Sequence, residues 1–75
     1  MSSDELEVFE HNLKRLIESP QLAMISDQLV EEFMGLCTNA RLAAEKGDLK
    51  EAVRLFQLAR DFLLQESERF GIVGN

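Results

Sequence analysis

Several residue types that mark particular protein classes are scarce in this 75-residue chain. It contains no Trp or Tyr, one Pro, one Cys and four Gly. So little Gly and Pro excludes collagen-like and linker-like chains, and a single cysteine, Cys37, excludes an internal disulfide. We therefore expect a reducing, cytoplasmic location. The length allows one domain, residues 1–75, and no second one.

Long apolar runs are also missing. No apolar stretch approaches the roughly 20 residues that a membrane-spanning helix needs. The first residues are Ser, Asp and Glu rather than the basic and then apolar segments of a secretory signal. We therefore expect neither a signal peptide nor a membrane partner.

Basic residues are few, with 8 Lys and Arg against 14 Asp and Glu, for a net charge of −6. Such a chain repels phosphate backbones, which disfavours nucleic acid as a partner. The excess is confined to residues 1–37, which hold eight acids and two bases, whereas residues 38–75 hold six of each. The first half is therefore suited to attract a basic partner, although surface acidity also serves solubility alone.

The residues that are abundant favour helices. Leu, Ala, Glu, Lys, Gln and Arg dominate, and the alternation of period two that is typical of strands is missing. Apolar spacing and breakers predict helices over about 3–19, 20–46 and 49–70, followed by a frayed tail, 71–75. Short connections between them predict an all-α, three-helix bundle with up-down-up topology.

Capping residues set the first two predicted helices. The segment from Ser2 to Glu5 has the form of a capping box and starts the first helix. Pro20 ends it, because proline disfavours helical backbone at the residue before it. Ser19 followed by Pro20 is the preferred start of the second helix, and Ser26 is the rival start.

Glycines mark two further positions. Gly47 is expected to close the second helix in the left-handed conformation, and Asp48 to cap the third with Glu51 completing a capping box. Gly35 lies inside the second helix, which it weakens by about 1 kcal/mol relative to Ala. Its small size would allow close approach of a neighbouring element.

Each helix carries an apolar stripe at three-and-four spacing. The first two stripes are Leu6, Phe9, Leu13, Leu16 and Ile17, and then Leu22, Ile25, Leu29, Phe33, Leu36, Ala40 and Ala43. Apolar residues of the third helix cover about 220° of its circumference, at 100° per residue, where a bundle helix needs little more than 100°. The surplus indicates that more than one neighbour covers this helix.

We predict that Leu55, Leu58 and Phe62 on the third helix form a partner-binding face. The first helix, a second copy of the chain or a helix from a partner protein would each cover it. A 75-residue bundle buries only about 60% of its surface, so association would add stability. We therefore expect a homo-oligomer or a complex with a partner helix, with a monomer whose third helix is sandwiched as the alternative.

Residues 40–69, which contain Gly47-Asp48, Glu51-Ala52-Val53, Leu55-Phe56 and Ala59, resemble the helical hairpin of the MIT (microtubule-interacting and trafficking) domain. The same segment resembles a single tetratricopeptide repeat. An MIT domain continues with a third helix after the hairpin, whereas here the additional helix comes first. The resemblance implies a helical interaction module and nothing finer.

Candidate catalytic groups are isolated. His11 is the only histidine and stands one turn from Glu7, and two such ligands make a poor zinc site. The adjacent Glu31 and Glu32 diverge by about 100° on a helix. Cys37 lies at the edge of the second stripe, where a small core residue is expected. We therefore predict no catalytic, cofactor-binding or metal-binding residues, and no cofactor.

These observations predict a non-enzymatic protein–protein interaction module, either an adaptor or a small regulatory protein. One alternative is a structural homodimer or bundle subunit whose apolar face is covered by its own copies. Another is a small chaperone of the secretion type, which shares the size, acidity and helicity. The partner of the leading hypothesis is a helix, basic in character because the first half is acidic.

Overall fold

The structure is a computed structural model that describes the backbone of residues 3–74 and the side chains of residues 4–69. Its elements are α1 (Ser3–Ile17), a short 3-10 helix (Pro20–Met24), α2 (Asp27–Glu45) and α3 (Leu49–Gly74). Within this described part of the chain there is no strand, and the predicted all-α three-helix bundle is confirmed. The up-down-up order of the helices stays a prediction.

The turn between α2 and α3 follows from its sequence. Gly47 has a φ of +86°, and its N–H donates to the carbonyl of Ala44 at 3.0 Å. The N–H of Asp48 donates to the carbonyl of Ala43 at 2.9 Å, which completes a Schellman motif. The Asp48 carboxylate then accepts the N–H of Glu51 at 3.1 Å. The predicted helix-closing glycine and aspartate cap are both confirmed. The Glu51 half of the predicted capping box is wrong, because the Glu51 carboxylate pairs with Arg54 and the Asp48 N–H donates to Ala43.

A break interrupts the segment that was expected to form one helix over 20–46. Ile25 and Ser26 have extended backbone, with ψ angles of 162° and 160°. The Ser26 hydroxyl accepts the N–H of Leu29 at 3.4 Å and so caps α2. The continuous helix is therefore wrong and the rival start at Ser26 is right. The break lets the 3-10 helix Pro20–Met24 pack against α3.

Ser19 lies between the end of α1 and the start of the 3-10 helix. α1 ends at Ile17, two residues before the predicted end. Ser19 then caps the 3-10 helix by accepting the N–H of Gln21 at 3.3 Å. Pro20 follows as the first residue of that helix, where its missing N–H costs nothing.

Two expectations about the remaining glycines are wrong. α3 continues to Gly74, so Gly71 does not end it. Residues 71–74 of the predicted frayed tail, 71–75, are therefore helical, and Asn75 lies outside the described residues. Gly47 ends α2 with positive φ, a conformation that no other described residue adopts. Gly35 is exposed, and a Cβ built there meets no atom within 4 Å, so it serves no close approach.

Small residues dominate the interface between α2 and α3, which is the most extensive contact in the fold. Its alanines are almost fully buried, namely Ala40, Ala43, Ala44, Ala52 and Ala59. Side chains without γ-atoms let two helix backbones approach closely. Phe33, Cys37 and Leu63 are also buried and fill the remaining space between the helices.

α1 covers one side of this hairpin. Its inward side chains Phe9 and Leu13 are 6% and 4% exposed. The Phe9 ring meets the Phe56 ring of α3 edge to face, with centroids 6.0 Å apart. This aromatic contact holds α1 against α3, because edge-to-face ring pairs are favourable beyond their burial.

Enlarging an alanine at the helix interface should destabilise the protein. We expect Ala59→Leu to lower the free energy of unfolding by about 1–3 kcal/mol, because added methylenes in a filled core force neighbours apart. Ala59 is fully buried, whereas Ala23 in the 3-10 helix is exposed. Ala23→Leu is therefore the control and should leave stability nearly unchanged in urea denaturation followed by circular dichroism.

Replacing the two glycines by alanine should change stability in opposite directions. Gly47→Ala should destabilise by about 1 kcal/mol or more, because alanine is strained at positive φ. Gly35→Ala should stabilise by about 0.5–1 kcal/mol, because alanine is the better helix former and space is open there. Thermal unfolding of both variants measures the difference, and equal shifts would contradict this account of the turn.

Candidate interaction surfaces

α3 presents apolar side chains to both sides of its contact with α2. The buried centre is formed by Ala52, Ala59 and Leu63. The predicted binding residues Leu55, Leu58 and Phe62 lie to one side of this centre, and Leu49, Val53 and Phe56 lie to the other, as 100° per residue requires. The two sides meet different neighbours.

The three predicted binding residues form what we call the α2–α3 surface. Leu55 and Phe62 are half-buried and pack against the core, whereas Leu58 is 44% exposed. Leu55 also lines a shallow groove with Leu42 of α2, which is 43% exposed. Of the three, only Leu58 therefore leaves a large part of its side chain accessible.

The charges beside the α2–α3 surface are mixed. Lys46, Asp48, Glu51 and Arg54 line the groove that contains Leu55, and Arg54 pairs with Glu51. This pair raises the pKa of the exposed Arg54 further above its ordinary value, by hydrogen bonding and then by charge attraction. No residue of the acidic α1 lines this groove. Two acids and two bases give it no charge preference.

A second concave surface, the α1–α3 groove, lies on the opposite side of α3. It has a volume of about 550 Å³. Its apolar lining comes from Val8 and Phe9 of α1 and from Leu49, Val53 and Phe56 of α3. Val8 is 61% exposed and Val53 is 39% exposed, so the walls of the groove are open to solvent.

Polar residues surround the α1–α3 groove, namely Asp4, Glu5, Asn12, Gln57 and Arg60. Arg60 lies 3.8 Å from Asp61, which offsets its positive charge. The acidic start of α1 therefore borders this groove and not the α2–α3 surface. The apolar stripe predicted for α1 did not include Val8. Val8 stands between Leu6 and Phe9 and does not follow the three-and-four spacing of the core residues.

Reactive groups are buried or dispersed. Cys37 is 2% exposed, and burial raises the pKa of its thiol to about 11. His11 and Glu7 are both exposed on α1. Within residues 4–69, no three His, Cys, Asp or Glu side chains lie together in a way that could hold a metal ion. The arrangement of Cys37 fits the predicted core role.

None of the helices, over the residues described, combines the length and the apolar character that crossing a bilayer requires. α3 has the length, at 26 residues, but its sequence contains charged residues from Lys50 to Arg69.

Comparison with known proteins adds no relative. No protein-family model, curated protein or solved structure matches the chain. The resemblance of residues 40–69 to MIT domains or a tetratricopeptide repeat therefore stays a prediction.

The Cys37 thiol should react slowly in the folded protein. A thiol pKa raised to about 11 leaves very little thiolate at pH 8, and burial blocks the reagent as well. Alkylation by iodoacetamide, followed by mass spectrometry, should therefore be much slower in buffer than in urea. Equal rates would contradict the burial of Cys37.

The same shift predicts the pH dependence of stability. The folded pKa lies above the unfolded value, so the folded state keeps its proton longer. The contribution is fully present below the unfolded pKa and is lost as pH rises toward about 11. Urea midpoints of the wild type should fall more steeply over this alkaline range than those of Cys37→Ala.

Proposed function

We propose that this chain is a non-enzymatic protein–protein interaction module that binds a helix of a partner protein on the α2–α3 surface. The observation that carries the proposal is Leu58, a large apolar side chain that is 44% exposed between two half-buried apolar neighbours. Covering such a side chain removes apolar area from water at about 25 cal/mol per Å². An amphipathic partner helix does this with residues at three-and-four spacing.

The surroundings of Leu58 support recognition by shape. Leu55 and Phe62 lie one turn before and after it and are held by the core. Side chains that are already fixed lose little conformational freedom on binding. The mixed charges around Leu55 add no strong preference for a basic or acidic partner. An apolar helix face of matching shape is therefore the best fit.

A structural homodimer is the second candidate. A two-fold axis beside Leu58 would bring the same residue of both copies into one contact, as isologous dimers do. The 26-residue length of α3 allows two copies of that helix to lie along each other.

For either candidate we propose a reducing compartment such as the cytoplasm, because the one cysteine of the chain has no internal partner.

A polar substitution at Leu58 should abolish partner binding without unfolding the protein. We expect Leu58→Asp to reduce partner recovery in affinity pull-downs at least tenfold, because a charge would be buried at the contact. Leu64→Asp is the matched control, since Leu64 is 40% exposed on the other flank of the same helix. Circular dichroism verifies that both variants are folded.

Sedimentation velocity separates the two candidates. A partner module stays monomeric from micromolar to millimolar concentration, and its partner is recovered by the wild type but not by Leu58→Asp. A homodimer sediments as a dimer that Leu58→Asp dissociates. Equal partner recovery by the wild type and by folded Leu58→Asp would contradict both uses of this surface.

A further inference from the structure

The α1–α3 groove combines accessible apolar side chains with acidic charge, and the α2–α3 surface does not. Val8 and Val53 form its open walls, and Asp4 and Glu5 stand at its border. The groove lies on the flank of α3 opposite Leu58, so it is a separate surface from the one in the proposed function.

The floor of the groove is firmly held. Phe9 is 6% exposed and contacts Phe56 edge to face at 6.0 Å. Both rings line the groove, and Leu49 packs against the core beside them. The apolar floor is therefore set before any ligand arrives, which lowers the entropy cost of binding.

The volume and shape of the groove suit side chains from a helix. It measures about 550 Å³ and runs between two helices rather than inward as an enclosed cavity. Apolar residues at positions i and i+4 of a helix project from one face about one turn, or roughly 6 Å, apart. We expect such a pair to contact both Val8 and Val53, which line this groove.

The charges favour a basic occupant. Asp4 and Glu5 belong to the half of the chain that holds eight acids and two bases. Arg60 is the single base that lines the groove, and it lies beside Asp61. A lysine or arginine over the acidic border gains favourable charge interaction, whereas an acidic residue is repelled.

We infer that the α1–α3 groove binds a basic amphipathic helix of a partner protein. Two apolar residues of that helix, one turn apart, cover Val8 and Val53, and a Lys or Arg lies over Asp4 and Glu5. The inference goes beyond the proposed function, because it assigns a second ligand-binding surface with a different charge preference.

Nuclear magnetic resonance of the isotope-labelled full chain tests this inference. The probe is a synthetic helical peptide with leucines at i and i+4 and flanking lysines, and its matched control replaces every lysine with glutamate. We expect the lysine peptide to shift the backbone amide signals of Val8, Val53 and Phe56. The glutamate peptide should bind about tenfold more weakly or not measurably.

Variants of the chain separate the apolar and charged contributions. Val8→Ser with Val53→Ser should weaken binding of the lysine peptide about tenfold, since it removes the apolar walls. Asp4→Asn with Glu5→Gln should weaken it roughly three- to tenfold and reduce its salt dependence. Met34→Ser is the matched control, since Met34 of α2 is 37% exposed and does not line the groove, and it should leave the affinity unchanged.

The outcomes are distinguishable. Amide shifts centred on Leu58 would overturn the groove inference and support the proposed function. Equal affinity for the two peptides would overturn the basic preference of the groove. Absence of any shift at millimolar peptide would also overturn the inference, while the pull-down with Leu58→Asp would still test the proposed function.

Discussion

The close contact between α2 and α3 through alanine side chains is the constraint on which the rest of the fold depends. Ala40 and Ala44 of α2 and Ala52 and Ala59 of α3 are at most 1% exposed. Because these side chains are small, they fill only the centre of the interface. The larger apolar side chains of α3 project to both flanks, where a third element has to cover them.

One covering helix cannot serve both flanks of α3. α1 packs on the flank that contains Phe56 and covers it incompletely, which leaves the groove with its open walls Val8 and Val53. The other flank keeps Leu58 exposed. Both candidate surfaces thus have the same origin, namely that the apolar arc of α3 is wider than α2, α1 and the 3-10 helix together cover.

The position of α1 also separates the charges. Its acidic first turn borders the α1–α3 groove, whereas the α2–α3 surface is bordered by two acids and two bases. The acidic first half and the face formed by Leu55, Leu58 and Phe62 were expected to act together on one partner. The acidic first turn of α1 and Leu58 instead lie on different flanks of α3.

Local chemistry made much of the fold predictable. The turn at Gly47 and Asp48 follows from neighbouring residues alone, because the left-handed glycine and the capping carboxylate act within a few positions. The burial of Cys37 also follows from its place beside the apolar stripe. The prediction of one continuous second helix is wrong because Ser19 and Ser26 both act as N-caps. Ser19 caps the 3-10 helix, Ser26 caps α2, and the 3-10 helix between them packs against α3.

The candidate site was less predictable. Spacing on α3 placed Leu55, Leu58 and Phe62 on one flank, but their different exposure depends on how the other elements pack against α3. Val8 gave little signal, since a single valine outside a stripe is ordinary on a helix surface. Val8 becomes a candidate binding residue only in the folded structure, where it lines the same groove as Val53.

The sequence by itself determined the helical class, the positions of most caps, the acidic first half and the excess of apolar residues on α3, because all of these depend on composition or on residues within one or two turns. The tertiary structure alone decided which apolar residues remain accessible and which charges lie beside them. Those properties depend on the packing of α1 and the 3-10 helix against the alanine-lined hairpin, and that packing joins residues far apart in the chain.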